Sequence, residues 1–264
     1  MTRYCSIRFG RILSAVVTLF CLVGIAVPAW AQFETRAMHT LPPGAWSVAT
    51  GDFNKDGNLD LVVLDNGGFS VSLGNGDGTF QKAVFYSTQL AYSLAVADFN
   101  NDGKLDIVVA NENLNPSTVS VYLGNGDGTF QAPISSNTTN YSSFVAVGDL
   151  NGDGKMDIVV IDNPYISVLL GKGDGTFQTP SDNNSFVGAQ NLALADFNND
   201  RKLDVVVVGF FGGSANIGVL VGNGDGTLQS SLNYPLTYTP AEVAAADLNH
   251  DGNMDAVVAD KARA

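Results

Sequence analysis

Residues 52–60 read Asp52-Phe53-Asn54-Lys55-Asp56-Gly57-Asn58-Leu59-Asp60, and side chains that carry oxygen recur at positions 1, 3, 5 and 9 of this stretch. The same pattern begins again at Asp98, Asp149, Asp196 and Asp247, so the steps between first aspartates are 46, 51, 47 and 51 residues. A period of this size is typical of a repeat architecture. The stretch therefore sets both the repeat and its local chemistry.

The repeated stretch predicts a calcium loop. Asp and Asn offer oxygens on short side chains, which suit a hard divalent cation, whereas a soft metal prefers Cys or His. The 1, 3, 5 spacing with Gly at position 6 resembles the start of an EF-hand loop, where position 7 contributes its backbone carbonyl, but here the closing carboxylate comes at position 9 instead of 12. We expect up to five calcium sites, formed by these residues: Asp52, Asn54, Asp56, Asn58 and Asp60; Asp98, Asn100, Asp102, Lys104 and Asp106; Asp149, Asn151, Asp153, Lys155 and Asp157; Asp196, Asn198, Asp200, Lys202 and Asp204; Asp247, Asn249, Asp251, Asn253 and Asp255.

A metal-free alternative is an Asx-rich turn between strands. One copy would leave that alternative strong, but five copies that retain all three aspartates and the asparagine favour calcium. The fourth copy departs from the pattern because Arg201 replaces the position 6 glycine. We expect a left-handed backbone at Arg201, which is costly for a residue with a Cβ atom.

The first 31 residues have the features of a signal peptide. Three arginines precede an apolar stretch over residues 12–27, and Ala29-Trp30-Ala31 offers small residues for cleavage after Ala31. The apolar stretch is shorter than the roughly 20 residues that span a bilayer, so we expect no stable membrane span after cleavage. Both cysteines, Cys5 and Cys21, lie in this segment, and the mature chain would be secreted or periplasmic without disulfides.

Charge also constrains the partners. The chain has 13 basic and 26 acidic residues, and the leader holds three arginines and no acid, so residues 32–264 carry a formal charge of −16. Fifteen of the 23 aspartates lie in the five loops, which indicates cation binding rather than a disordered acidic tail. Such a surface disfavours nucleic acid as a partner.

A second recurring segment alternates with the loops. It reads Gly74-Asn75-Gly76-Asp77-Gly78-Thr79-Phe80 and returns at residues 124–130, 171–177 and 222–228. Asn-Gly and Asp-Gly tolerate the positive φ angles of a tight hairpin. A phosphate-binding loop is the other interpretation, but no helix pattern follows the glycines.

Each repeat can be divided into four short strands. In the first complete unit we predict strands over residues 46–50, 59–64, 69–73 and 80–86. The apolar run Leu61 to Leu64 favours a strand and not the exiting helix of an EF-hand. Four strands per unit of this length predict an all-β fold, the β-propeller of four-stranded blades; a parallel β-helix has far shorter repeats.

The two alternating motifs resemble those of the FG-GAP or VCBS repeat family, which is related to the propeller of the integrin α-subunit. The pairing of Asp-Phe-Asn-x-Asp-Gly-x-Leu-Asp with Gly-Asn-Gly-Asp-Gly-Thr-Phe-Gln carries the resemblance, which covers residues 32–264. It implies a calcium-binding propeller, usually exported and often associated with adhesion or carbohydrate binding. Ligand identity does not follow from the fold.

The strand count predicts four full blades and a partial fifth. Residues 33–41 fit a fourth strand, and residues 242–246 and 254–258 fit two more strands of the same blade. One strand of that blade is then missing, so either a three-stranded blade closes a five-bladed propeller or the chain is the front part of a longer one. Because an unpaired edge invites aggregation, we expect the chain to be truncated.

No pattern in the sequence supports catalysis. His39 and His250 are the only histidines, and no Ser-His-Asp order or HExxH motif occurs. We therefore expect an exported, non-enzymatic module for adhesion or for binding a glycan or protein. The alternative is a calcium-dependent, polysaccharide-active enzyme or its non-catalytic accessory domain.

Overall fold

The computed structural model describes residues 44–65, 67–111, 117–186 and 188–260. The predicted signal peptide and the strand predicted over residues 33–41 lie outside these residues. No helix in the described residues is long and apolar enough to cross a membrane.

The described residues form 18 strands in sequential antiparallel sheets. Four sheets have four strands each, paired in chain order, and a two-stranded sheet follows them. The strands are β1 Ser47–Gly51, β2 Asp60–Asp65, β3 Gly68–Ser72 and β4 Val84–Ser87 in sheet 1; β5 Ala91–Ala97, β6 Asp106–Asn111, β7 Thr118–Tyr122 and β8 Ile134–Asn137 in sheet 2; β9 Tyr141–Gly148, β10 Asp157–Asn163, β11 Tyr165–Leu169 and β12 Ser181–Ser185 in sheet 3; β13 Ala189–Ala195, β14 Asp204–Phe211, β15 Ser214–Leu220 and β16 Leu232–Pro235 in sheet 4; and β17 Pro240–Ala246 and β18 Asp255–Asp260 in the last sheet.

The all-β prediction is confirmed, and three of the four strands predicted in the first unit agree with the structure within one or two residues at each end. The fourth was wrong at its start, since β4 begins at Val84 and not at Phe80. Phe80 instead forms an isolated bridge with Gly74 that closes the glycine-rich turn. The two strands predicted near the end of the chain are present as β17 and β18.

The core lies between successive sheets. The second strand of each four-stranded sheet is a run of apolar residues; in β10, the residues from Ile158 to Ile161 are all fully buried. Such a run is consistent with a strand covered on both faces. One buried cluster joins sheets 1 and 2, another joins sheets 2 and 3, and a third joins sheets 3 and 4. A smaller cluster joins sheet 4 to β17–β18.

The first strands connect the sheets in chain order. Strand β1 packs against β5, β5 against β9, β9 against β13, and β13 against β17. Within the described residues, β17 and β18 do not pack against sheet 1 in this way. The sheets are therefore stacked in sequence, and the described part of the chain is not closed into a ring.

Each four-stranded sheet has two distinct ends. The nine-residue loop joins the first and second strands, and the glycine-rich turn joins the third and fourth strands. Because neighbouring strands are antiparallel, loop and turn lie at the same end of their sheet, which we name the loop end. The hairpin end carries the connection between the second and third strands and the linker to the next sheet.

Candidate metal centre

The first three oxygen-bearing positions of each loop bind the backbone of the same loop. The Asp52 carboxylate accepts the N–H groups of Asp56 (3.1 Å) and Gly57 (2.9 Å). The Asn54 Oδ1 atom accepts the Asp56 N–H at 3.1 Å, and the Asp56 Oδ1 atom accepts the Asn58 N–H at 2.7 Å. Positions 1, 3 and 5 are thereby held around the backbone of positions 5 to 7.

The other four loops repeat this arrangement. The position 1 carboxylate accepts the position 6 N–H at 2.7 Å in the second and fourth loops and at 2.9 Å in the third and fifth. The position 3 amide oxygen accepts the position 5 N–H in every loop, at 2.8 to 3.1 Å. The repeated sequence thus specifies one local geometry five times.

The position 7 lysine forms an ion pair with the position 5 carboxylate in the second and third loops. The Lys104 ammonium lies 3.0 Å from the Asp102 carboxylate, and the Lys155 ammonium lies 3.1 Å from the Asp153 carboxylate. The backbone N–H and the side chain of Lys155 lower the pKa of Asp153, and the backbone N–H of Asn58 is the main cause of the lowered pKa of Asp56. These carboxylates are therefore ionised at neutral pH and available to a cation.

The position 9 aspartate has a second, structural role that the sequence analysis did not predict. Asp60 is fully buried, and its Oδ2 atom accepts the Phe53 N–H at 2.8 Å. Its Oδ1 atom accepts the N–H of Gly74, the first residue of the glycine-rich turn, also at 2.8 Å. One carboxylate therefore ties the loop to the turn. Asp106, Asp157 and Asp204 make the same pair of bonds in sheets 2 to 4.

Burial affects the protonation of three position 9 aspartates. Desolvation raises the pKa of Asp106, Asp157 and Asp204 above the ordinary value, although the two backbone N–H groups oppose this shift. Neighbouring loop carboxylates raise the pKa further: Asp153 and Asp149 act on Asp157 in this way. A bound cation would reverse the sign of that effect, since it favours the charged form.

Two positions in each loop have a left-handed backbone. Position 6 has a positive φ in all five copies, including Arg201 at 67°, so the expectation for this residue is confirmed. Position 4 also has a positive φ in every loop, at Lys55, Asn101, Gly152, Asn199 and His250. The sequence analysis missed position 4 because the residues found there are so diverse.

The donor set fits a hard cation, but the carboxylates alone do not complete a site. Among the described residues, no group of three or more His, Cys, Asp or Glu side chains is arranged to hold a metal ion. A cation in one of these loops would therefore need the position 3 amide oxygen and the position 7 carbonyl as well as carboxylates. All of these ligands are oxygens, as calcium prefers.

The loops also contact the next sheet. The Gly128 N–H, in the turn of sheet 2, donates to the Phe53 carbonyl in the first loop at 3.1 Å. The Phe53 and Phe130 rings meet edge to face with centroids 5.5 Å apart. Gly175 and Phe99 repeat the hydrogen bond between sheets 2 and 3 at 3.1 Å. In sheets 2 and 3 the glycine-rich turn therefore docks on the loop of the sheet before it.

A known protein family has the same repeat as this chain. The family model described as the FG-GAP-like repeat matches residues 52–109, 98–160, 149–207 and 196–258, so each match contains two consecutive loops. No curated protein sequence matches the chain.

Solved structures with a similar fold include a lectin. The structure of an Agrocybe aegerita lectin that recognises non-reducing terminal N-acetylglucosamine has a TM-score of 0.58 and 25% identity, over 80% of this chain and 59% of the lectin chain. The chain thus spans less than two thirds of that lectin. Two further structures are the Photorhabdus luminescens Tc holotoxin pore (TM-score 0.49, 18% identity, 84% of this chain and 11% of that chain) and the V. cholerae biofilm matrix protein Bap1 (TM-score 0.47, 18% identity, 76% and 30%).

Proposed function

Because the chain belongs to the FG-GAP-like repeat family, we propose that it is an exported, calcium-binding β-propeller that acts as a glycan-binding module without catalytic activity. The observation that carries the binding role is the likeness to a lectin, at a TM-score of 0.58 and 25% identity. Binding of terminal N-acetylglucosamine by that lectin makes a glycan the first ligand class to test here.

The propeller arrangement is supported by the order of the sheets. Each sheet packs on the next through its first strand, and a turn of one sheet docks on the loop of its predecessor. These are the contacts that blades arranged around a common axis would make.

Calcium is supported by the loops. Positions 1, 3 and 5, the position 7 carbonyl and the position 9 carboxylate would hold the ion, and calcium would neutralise three carboxylates per loop. Export places the loops where calcium is abundant enough for sites with a Kd of about 0.1 to 1 mM. The signal peptide features of the first 31 residues support that location.

The test is a glycan array probed with the purified protein in about 1 mM calcium and in excess EDTA, together with titrations of the methyl glycosides of glucose, galactose, mannose and N-acetylglucosamine. We expect glycan binding that EDTA abolishes and no change in the bound glycan. Binding that is equal with and without EDTA would contradict the role of calcium. Shortened glycan products would instead assign the chain to polysaccharide-active enzymes.

A further inference from the structure

Sheet 2 contains a polar pocket that extends from its hairpin end along β7 and β8, on the side of the linker from sheet 1. The pocket has a volume of about 420 Å³, within the usual range of small-ligand sites. Its floor is formed by four side chains that are at most 9% exposed: Asn111, Thr118, Ser120 and Tyr122. Its rim includes the exposed residues Ser87, Gln89 and Ser135. The pocket therefore joins a buried polar floor to an accessible opening.

The floor contains an unsatisfied polar atom. Asn111 is only 2% exposed, and its Nδ2 group donates to Thr118 Oγ1 (3.1 Å) and Ser120 Oγ (2.9 Å). Among the described residues, no group forms a hydrogen bond with its Oδ1 atom. Reversing the amide would give Oδ1 the two hydroxyls and leave Nδ2 without acceptors, so one half of the amide lacks a partner in either orientation. An unsatisfied buried polar group is destabilising, and a bound ligand that forms the missing hydrogen bond removes that cost.

Sheet 3 provides an internal comparison. Asp162 follows its position 9 aspartate by five residues, as Asn111 does in sheet 2. The Asp162 carboxylate is satisfied by the N–H groups of Thr139 (2.8 Å) and Asn140 (2.9 Å), which belong to the linker before β9, and by the Ser142 hydroxyl at 3.2 Å. Both linkers make one bond in common: the Thr88 N–H donates to the Gly67 carbonyl as the Thr138 N–H does to the Ser117 carbonyl. The N–H groups of Gln89 and Leu90, which follow Thr88, do not reach Asn111 Oδ1. The same fold position is thus internally satisfied in sheet 3 and open in sheet 2.

The lining of the pocket points to one ligand class. Of the described lining residues, five carry aliphatic hydroxyls, two carry amides and none carries a formal charge. Hydroxyl and amide groups donate and accept hydrogen bonds, so they match a neutral ligand rich in hydroxyl groups. We propose that this pocket binds one neutral sugar unit of a glycan, with Asn111 Oδ1 accepting a hydroxyl or amide N–H from the sugar. This proposal rests on the proposed glycan-binding function and assigns its site.

The test uses the methyl glycoside panel defined above and calorimetric titration in calcium. Ser135→Trp places a large ring at the exposed rim, beside Ser120, whose hydroxyl lies 2.8 Å from the Ser135 hydroxyl. For the glycoside of the panel that the parent binds most tightly, we expect this variant to have at least about tenfold lower affinity. Asn233→Trp is the matched control, because Asn233 is the second residue of β16 as Ser135 is of β8, and both are exposed. We expect the control to bind as the parent does.

Asn111→Ala tests the floor directly, and it should also lose at least about tenfold in affinity. This substitution removes the hydrogen bonds to Thr118 and Ser120, so the folding of the variant is checked by thermal unfolding. If Asn111→Ala unfolds, the Ser135→Trp variant still tests the proposal.

Three outcomes would contradict the proposal. If Ser135→Trp binds a glycoside with the affinity of the parent, the pocket is not the binding site, and the glycan-binding function stands. A parent that binds array glycans but no glycoside of the panel would likewise overturn the pocket. A parent that binds no glycan at all would overturn both.

Discussion

At the residue scale, Arg201 isolates the cost of a left-handed backbone in a loop. Its φ is 67°, yet its N–H still donates to Asp196 at 2.7 Å, as the position 6 glycine does in the other loops. Because only the backbone conformation is unfavourable, Arg201→Gly should stabilise the protein by about 1 kcal/mol, after the greater entropy of glycine in the unfolded state is subtracted. We expect a higher melting temperature and tighter calcium binding at this loop.

Arg201→Gln is the control, since it removes the positive charge but keeps the Cβ atom. If the backbone is the cause, Arg201→Gln should bind calcium less tightly than Arg201→Gly in calorimetric titrations, and the gain in melting temperature of Arg201→Gly should be larger in calcium than in EDTA. Equal gains for the two variants would identify charge repulsion as the cause. If Arg201→Gly had the melting temperature and calcium affinity of the parent, the positive φ of position 6 would carry no measurable cost for Arg201.

At the scale of the structural element, the position 9 aspartate fastens the loop to the glycine-rich turn. In sheet 3, the fully buried Asp157 accepts the Leu150 N–H at 2.9 Å and the Gly171 N–H at 2.7 Å. Asp157→Ala leaves two buried N–H groups without partners, each worth about 1–3 kcal/mol, and relieves a desolvated charge. We expect a net loss of at least about 2 kcal/mol in urea unfolding.

The same measurement in EDTA separates this structural role from calcium binding. Asp149→Ala is the matched variant, because Asp149 is a predicted ligand in the same loop but its N–H donors are exposed to water. In EDTA, Asp149→Ala should cost less than about 1 kcal/mol. Similar losses for the two variants would refute the special role of position 9.

The strands were predictable where a continuous apolar run marks them, as in β2, but not where a turn residue also packs in the core. Phe130 and Phe177, the equivalents of Phe80, meet Phe53 and Phe99 of the preceding loop. These apolar residues therefore serve docking between sheets. Because they were interpreted as strand residues, the fourth strand was predicted to begin at residue 80 instead of Val84. Likewise, the sequence did not single out Asn111, because the linker N–H groups that satisfy Asp162 but not Asn111 depend on the tertiary fold.

At the scale of the whole molecule, the fold places the most acidic segments of the chain, the nine-residue loops, at the loop end of their sheets. Fifteen of the 23 aspartates of the chain lie in five loops. The four loops of the complete sheets lie at the loop end of their sheets, and each is docked to its own sheet by a position 9 carboxylate. The sequence alone identifies the negative charge in each loop. The distance between neighbouring loops depends on how the sheets stack. Asn199 and Asn253 of the last two loops are within hydrogen-bonding distance, at 2.5 Å.

We expect this concentration of charge to make the stability of the whole fold depend on calcium. Without a cation, the loop carboxylates repel one another and disfavour the compact state. For sites with a Kd of about 0.1 to 1 mM, about 1 mM calcium stabilises each site by roughly 0.4 to 1.4 kcal/mol. Five sites would add roughly 2 to 7 kcal/mol, a large share of the net stability of about 5 to 15 kcal/mol that a domain has. We therefore expect the melting temperature to be clearly higher in excess calcium than in EDTA. Sodium chloride at matched ionic strength is the control for screening: the proposal is refuted if the midpoints in calcium and EDTA coincide, or if sodium chloride reproduces the whole shift.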